Sequence, residues 1–359
     1  MSKHSADQGS KAVALPPASS NDFDVLWETK TFHVTTSGAP APFPIKVLHG
    51  YRRYNVTYVV SPEIGHQTVL AVHGVMHNAL VFQPLGHELL SKLSNKTKHF
   101  YSISLPGHGD TTPGSRHGVS GIPGPKLFGQ VTLEDYAEAL TQVAKQIGHV
   151  HTIVAHSQGG IVVQVAEKLL QLAGSSLQSA TQSKTNRIVL LASTTPDEVS
   201  WFAADNDYLT PILVNLGAIK TTPQNGTFLS ITDMQWRDLF YLDGTMPVAG
   251  GPDPTTQVPR LRTDEPSAAA SVSLATGQPG QLHRPSIPAN LFASFSFRNI
   301  AFEADTFLTA ADLNGLGNHL KPGSGHILIT SQSGAPAIHC ALYTRPGALV
   351  PYLVGGDDL

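Results

Sequence analysis

This sequence of 359 residues has little of what marks a disulfide-bonded or membrane protein. Cys340 is its single cysteine, so no disulfide can form within the chain, which fits a reducing compartment and also an exported chain without bridges. No apolar run approaches the roughly 18 residues that a membrane helix needs. Residues 1–22 are rich in Ser, Ala and Pro and lack the apolar core of a signal peptide. We therefore expect a flexible tail over 1–22, no membrane span and a cytoplasmic location.

Charge is also scarce, with 14% charged residues and a formal net charge of −3. Lys and Arg form no stripe and no aromatic-interleaved basic segment, so nucleic acid is not an expected partner. The hydrophobic fraction of 41% indicates a globular chain with a sizeable buried core. Among the 17 histidines, His149, His151 and His156 lie close together, but no HExxH or carboxylate-spaced set accompanies them. We therefore predict no metal site.

Short apolar runs alternate with helical patterns through much of the chain. The runs are typical of strands buried on both faces, and they lie at 68–74, 99–105, 151–157 and 187–193. The clearest helical stripe consists of Leu133, Tyr136, Leu140, Val143 and Ile147. Before residue 60, alternating apolar positions predict opening antiparallel strands. Together these patterns predict an α/β fold with a mostly parallel central sheet flanked by helices.

The alternation breaks between residues 196 and 290. This stretch is rich in Pro and Gly and irregular, apart from the helix-like segment DMQWRDLFYL, and strand patterns resume at about residue 291. We therefore predict a core formed by 23–195 and 291–359, with an inserted cap or lid at 196–290.

The segment Ala155-His156-Ser157-Gln158-Gly159 lies where a predicted buried strand turns into a predicted helix. A nucleophile elbow has this context, because the sharp turn exposes the serine oxygen. The turn needs small residues two positions before and after the serine, and Ala155 and Gly159 meet that need. An isolated pentapeptide of this kind can equally be an ordinary Ser/Gly turn between a strand and a helix.

Three motifs in the order HGVMHN, SLPGHGD and AHSQGG resemble those of the α/β-hydrolase superfamily. Each stands at the end of a predicted strand, and the similarity covers about residues 50–195 well and 291–359 more loosely. DLFYLDG in the insert is similar to a segment in the caps of some esterase-like members. The chain thus resembles a serine esterase-like member with an inserted cap, which implies the α/β-hydrolase fold and a triad in the order Ser, acid, His.

The resemblance implies that the other two triad members follow the insert. His339 is the expected base, in the loop between the last predicted strand, HILITSQSG, and the closing helix predicted at PGALVPYLV. His326 is its rival at the start of that strand. Asp305 is the expected acid, with Asp312 and Asp197 as open alternatives.

In this interpretation Ser157 attacks a carbonyl, and the N–H groups of Val75 and Gln158 stabilise the oxyanion. The implied substrate is a small acyl compound, either a carboxylic ester or a lactone, and no metal or organic cofactor is needed. Because the same fold hosts several chemistries, an amidase, a C–C bond hydrolase and an inactive small-molecule-binding protein stay open as alternatives. A serine nucleophile argues against dehalogenase and epoxide hydrolase chemistry, which use a carboxylate at that position.

Four further residues are candidates for substrate binding. His77 and His156 either line the pocket or are hydrogen-bonded structural histidines. Trp236 and Phe240, like the other aromatic residues of the insert, either line an apolar pocket under the cap or form the core of the cap itself.

Overall fold

The computed structural model describes most of the predicted core and little of the predicted insert. The described residues are 23–37, 39–54, 67–74, 77–92, 97–109, 111, 133–182, 185–193, 195, 219–222, 226–229, 287–305, 308–330 and 337–353. Within the predicted insert they comprise the backbone of two short strands and residues 287–290. The bounds of the cap and the helix predicted at DMQWRDLFYL lie outside the described residues and stay predictions.

An eight-stranded sheet forms the centre of the described structure, in the order β1-β2-β4-β3-β5-β6-β9-β10. Its strands are β1 (Phe23–Thr36), β2 (Ala39–Tyr54), β3 (Gln67–Val72), β4 (Thr97–Ile103), β5 (Thr152–His156), β6 (Arg187–Leu191), β9 (Ser296–Phe302) and β10 (Ile327–Ile329). A separate antiparallel pair consists of β7 (Ile219–Thr222) and β8 (Gly226–Leu229). In the large sheet β2 pairs antiparallel with β1 and β4, and from β4 to β10 all neighbours are parallel. The predicted antiparallel opening and mostly parallel sheet are confirmed.

Burial explains why the central strands are continuous apolar runs. Every residue of β5 is buried, and β3 and β6 are buried at every residue after the first. A parallel sheet covered by helices needs apolar side chains on both faces, because neither face meets water. These three strands are neighbours in the sheet, so their carboxyl ends lie side by side near its middle.

Seven α-helices lie within the described residues. They are α1 (Gln83–Ser91), α2 (Leu133–Ile147), α3 (Gln158–Leu172), α4 (Leu177–Ala180), α5 (Ala310–Leu320), α6 (Ala341–Thr344) and α7 (Val350–Leu353). Helix α2 packs against α3, and α1 packs against α6. The predicted stripe on α2 is its core face, since Leu133, Tyr136, Leu140 and Val143 are buried. None of these helices is long and apolar enough to cross a membrane.

The last part of the core differs from the sequence expectation at two helices. Helix α5 was not predicted, although Thr309 and Asp312 form the capping box that begins it. The single closing helix predicted at PGALVPYLV is instead a 3₁₀ turn at Pro346–Ala348 followed by the one-turn helix α7. Pro351 lacks an N–H group and is tolerated only in the first turn of a helix, so a continuous helix cannot run through it.

Candidate active site

Ser157 occupies the sharp turn between β5 and α3. Its φ of 51° and ψ of −124° are unusual for a residue with a side chain, and such a conformation costs on the order of 1–3 kcal/mol unless the surroundings enforce it. Here they do: the Ser157 N–H donates to the Leu191 carbonyl at 2.9 Å, and the N–H of Gly160 donates to the Ser157 carbonyl at 2.9 Å. The hydroxyl of Ser193, which the sequence analysis did not single out, also donates to that carbonyl at 2.9 Å.

Two glycines allow this turn to pack against the end of β3. A β-carbon at Gly159 would lie 2.6 Å from the carbonyl oxygen of His73 and closer still to that of Val72. A β-carbon at Gly74 would lie 2.8 Å from the β-carbon of Ser157. Since real β-carbons do not approach other atoms so closely, any side chain at either position would push the serine turn away from β3. The sequence expectation of small residues around Ser157 is met by Gly159 and by Ala155, which is fully buried.

The corner after β3 is held by a buried imidazole. His73 Nδ1 lies 2.8 Å from the Gly74 carbonyl oxygen, and the N–H of Leu105 donates to His73 Nε2 at 3.0 Å. Nδ1 therefore carries the proton and the ring is neutral. Burial is the main reason why the pKa of His73 lies well below its usual value. Val75, the expected first oxyanion donor, lies outside the described residues.

Gln158, the expected second oxyanion donor, is the first residue of α3. The N–H groups of a helix's first turn are not used by hydrogen bonds within the helix, and they point along its axis toward the N-terminal end. The backbone of Gln158 is thus suited to contact a negatively charged oxygen next to Ser157.

His339 and Asp305 come together although 34 residues separate them. His339 Nδ1 lies 2.9 Å from Asp305 Oδ2, and the two side chains are 3% and 0% exposed. The N–H of Leu308 donates to the other carboxylate oxygen of Asp305 at 3.2 Å. Asp305 follows the end of β9, and the N–H of Ala304 donates to the Ala337 carbonyl at 2.9 Å, which joins the segments that carry the two side chains.

The structure separates Asp305 from the other described candidates. Asp312 Oδ2 accepts hydrogen bonds from the hydroxyl and the N–H of Thr309 at 2.6 and 3.2 Å, so Asp312 caps α5. His326 precedes β10, which runs parallel to β9, and therefore lies at the opposite end of the sheet from Asp305. Its ring Nδ1 lies 3.3 Å from Asn314 Oδ1. Asp197 lies outside the described residues.

His156 is buried beside His339, and His77 is buried beside His156 and Cys340. The His156 ring centroid lies 4.7 Å from that of His339, and His156 Nε2 lies 2.9 Å from the His339 carbonyl oxygen. His77 meets His156 edge-on at 6.2 Å, and its Nε2 lies 3.6 Å from Cys340 Sγ. The two remaining substrate-binding candidates, Trp236 and Phe240, lie outside the described residues.

Several histidines lie near the carboxyl ends of the central strands. Within the described segments, no group of three or more His, Cys, Asp or Glu side chains is arranged to hold a metal ion. His73, His77 and His156 are instead engaged with main-chain oxygens, a thiol and one another.

A model of the alpha/beta hydrolase family matches residues 69–350, a span that contains the serine turn, Asp305 and His339. The chain belongs to this family. The match confirms the resemblance on which the sequence interpretation depended, and the eight-stranded sheet confirms the fold. No curated protein matches the sequence.

Solved structures of several hydrolases have a similar fold. The chain is similar to the peroxisomal α/β-hydrolase Lpx1 of Saccharomyces cerevisiae, with 13% identity over 93% of this chain and 88% of that one and a TM-score of 0.57. It is similar to a thermophilic esterase from Thermogutta terrifontis, with 14% identity over 90% and 96% and a TM-score of 0.54. The thioesterase domain from the curacin biosynthetic pathway shows 14% identity over 91% and 99% and a TM-score of 0.52. At these identities the similarity shows the fold alone.

Proposed function

We propose that this alpha/beta hydrolase is a serine hydrolase that cleaves a carboxylic ester or lactone through an acyl-enzyme intermediate. The observation that carries the proposal is the pairing of a serine held at positive φ on the β5–α3 turn with a buried His339–Asp305 hydrogen bond of 2.9 Å. Backbone strain of this kind persists where the surrounding structure enforces it and is concentrated at active sites.

The proposed mechanism follows from the proton positions on His339. A carboxylate only accepts hydrogen bonds, so Nδ1 of His339 carries the proton that is donated to Asp305. Nε2 of the neutral ring is then unprotonated and takes the hydroxyl proton of Ser157 as the serine oxygen attacks the carbonyl carbon. Asp305 keeps the ring in this tautomer and stabilises the imidazolium that forms.

In the second half of the reaction, His339 returns the proton to the leaving alcohol. Water then attacks the acyl-enzyme with His339 again as the base, which releases the acid and restores Ser157. The N–H groups of Val75 and Gln158 donate to the oxyanion in both steps. Trp236 and Phe240, in the predicted cap, contact the acyl group of the substrate.

A panel of p-nitrophenyl esters of increasing acyl length, together with lactones and amides, tests the reaction class. We expect the wild type to hydrolyse esters and to be labelled by a fluorophosphonate probe. Ser157→Ala removes the attacking oxygen and few packing atoms, so it should lower kcat by about 10⁶-fold and abolish labelling.

Ser193→Ala is the matched control, since it removes a hydroxyl that contacts the Ser157 carbonyl and does not attack the substrate. This variant should still be labelled by the probe. Ester hydrolysis by pure Ser157→Ala at more than a few per cent of the wild-type rate would refute Ser157 as the nucleophile. A wild type that is silent on every acyl substrate and unlabelled, yet binds a small molecule tightly, would support the inactive alternative.

A further inference from the structure

We infer that His156 is a positioning residue: it donates a hydrogen bond to the main chain of His339 and thereby fixes the proposed base relative to Ser157. The inference rests on the proposed function, because it assigns a task to His156 only if Ser157 and His339 react together. In this inference His156, the residue before Ser157, contacts the proposed base and not the substrate.

The segment that carries His339 needs such a contact. Residues 337–340 lie between β10 and α6 and belong to no strand or helix, so their position depends on individual hydrogen bonds. The Asp305 carboxylate holds one ring atom of His339 at 2.9 Å. The backbone on the N-terminal side of His339 is bonded at the Ala337 carbonyl by the N–H of Ala304 and at the Ile338 carbonyl by the N–H of Ala341, both at 2.9 Å. The bond of 2.9 Å from His156 to the His339 carbonyl restrains the backbone of His339 itself.

The direction of this bond is determined by its acceptor. A carbonyl oxygen cannot donate, so Nε2 of His156 must carry the proton. Nδ1 of His156 has no hydrogen-bond partner among the described residues, which agrees with a neutral ring in the Nε2–H tautomer. Burial and the nearby His339 and His77 rings lower the pKa of His156 well below its usual value. His156 therefore stays neutral when His339, whose ring centroid lies 4.7 Å from that of His156, takes up the serine proton.

The place of His156 in the chain gives the contact its significance. His156 is the last residue of β5 and is bonded covalently to Ser157, so the unit that carries the nucleophile also holds the base. A shift of β5 or of the serine turn moves both groups together and preserves their separation. Proton transfer depends steeply on that separation, and a displacement of about 1 Å can lower the rate by about 10²-fold.

Three substitutions of His156 test the inference. Gln can bring an amide N–H close to the position of the imidazole Nε2, Asn brings it only to that of Nδ1, and Leu has no donor. We expect His156→Asn and His156→Leu to lower kcat for p-nitrophenyl acetate by about 10²-fold with KM changed less than about threefold. His156→Gln should retain most of the wild-type kcat.

Labelling by a fluorophosphonate separates positioning from loss of folded protein. If His156 positions the base, the rate of labelling falls in the Asn and Leu variants and the final labelled fraction stays at the wild-type level. Wild-type kcat in the Asn and Leu variants, or an equal loss in all three variants, would overturn the inference. So would a change mainly in KM or in acyl-length preference, which would indicate contact with substrate.

A measurement on the wild type covers the case in which the variants do not fold. ¹⁵N NMR of histidine-labelled protein should show that His156 is neutral and protonated at Nε2 throughout pH 6–8. The signal is assigned to His156 because it is lost in any His156 variant that can be purified, or through its contacts with His339. A charged or Nδ1-protonated His156 would overturn the inference. Activity in Ser157→Ala would instead overturn the proposed function, so the two failures are distinguishable.

Discussion

Ser157 and His339, which must meet for the proposed reaction, lie in two different kinds of structure. Ser157 stands between a strand and a helix, and main-chain hydrogen bonds to Leu191 and Gly160 hold its backbone. His339 lies in a segment without regular structure, where the side chains of Asp305 and His156 hold it from 34 and 183 residues away in the sequence.

The difference shows that one site can combine a residue held by main-chain bonds of the sheet with a residue held by side chains that are distant in the sequence. A serine turn made by a strand, a helix and two close-packed glycines resists displacement, because moving it disrupts the sheet itself. A base held by side chains can be displaced by one substitution that leaves the sheet intact. We therefore expect substitutions around His339 to lower activity with little loss of stability, and substitutions around Ser157 to lower both.

On the histidine side of the comparison, the largest effect should come from Asp305→Asn. An amide in place of the carboxylate favours the wrong tautomer of His339, so kcat should fall by about 10⁴-fold while the unfolding midpoint in urea changes little. Steady-state ester hydrolysis and urea unfolding measure the two quantities.

Asp312→Asn is the matched control, because the Asp312 carboxylate caps α5 through Thr309, whereas the Asp305 carboxylate is the one bonded to His339. It should keep the wild-type rate and lose at most about 1 kcal/mol of stability. Near-normal activity in Asp305→Asn, or a large rate loss in Asp312→Asn, would show that the acid has been assigned wrongly.

Gly159→Ala should disrupt the serine side through packing. Its new β-carbon would meet the carbonyl oxygens of Val72 and His73, and overpacking of this kind typically costs about 1–3 kcal/mol. We expect both the free energy of unfolding and kcat to decrease. Gly347→Ala provides the comparison, since a β-carbon there meets only Glu88 Oε2 at 3.9 Å. Equal stability of the two variants would mean that the serine turn tolerates displacement.

A third test concerns His108, which is buried near the end of β4. Burial lowers the pKa of His108 to about 4, below the value of about 6.5 in the unfolded chain. The unfolded chain therefore binds more protons between these values, and stability falls as pH decreases from about 6.5 toward 4, by up to about 1.4 kcal/mol per pH unit for this group.

Urea unfolding of the wild type and of His108→Gln at several pH values between 7.5 and 5 isolates this contribution. We expect the slope of unfolding free energy against pH to be shallower in the variant by about one proton. Identical slopes in the two proteins would show that His108 is not buried in its neutral form.

The smallest effect concerns the predicted cap, which adds a third region to the comparison. If Trp236 and Phe240 contact the acyl group, then Trp236→Ala and Phe240→Ala should raise KM for long-chain esters several-fold and leave hydrolysis of the acetate nearly unchanged. Equal slowing of every ester would instead indicate that these aromatic residues pack inside the cap.

Much of the fold could be predicted because its signals are local. The four apolar runs became β3, β4, β5 and β6, and the stripe of α2 became its buried face. Helix α5 was missed, although its capping box is visible in the sequence, because the segment was interpreted as a turn after the strand. The closing helix was predicted too long because the apolar pattern concealed the effect of Pro351.

The sequence by itself determined the serine turn, since the small residues at 155 and 159 and the boundary between strand and helix all lie within a few residues of Ser157. The resemblance to hydrolases implied His339 and Asp305, but their contact exists only in the folded chain, because side chains from β9 and from the segment after β10 meet there. Only the tertiary structure revealed the bond from His156 to the His339 carbonyl. Its two partners are 183 residues apart, and a main-chain oxygen can be contacted whatever the residue type, so it leaves no pattern in the sequence.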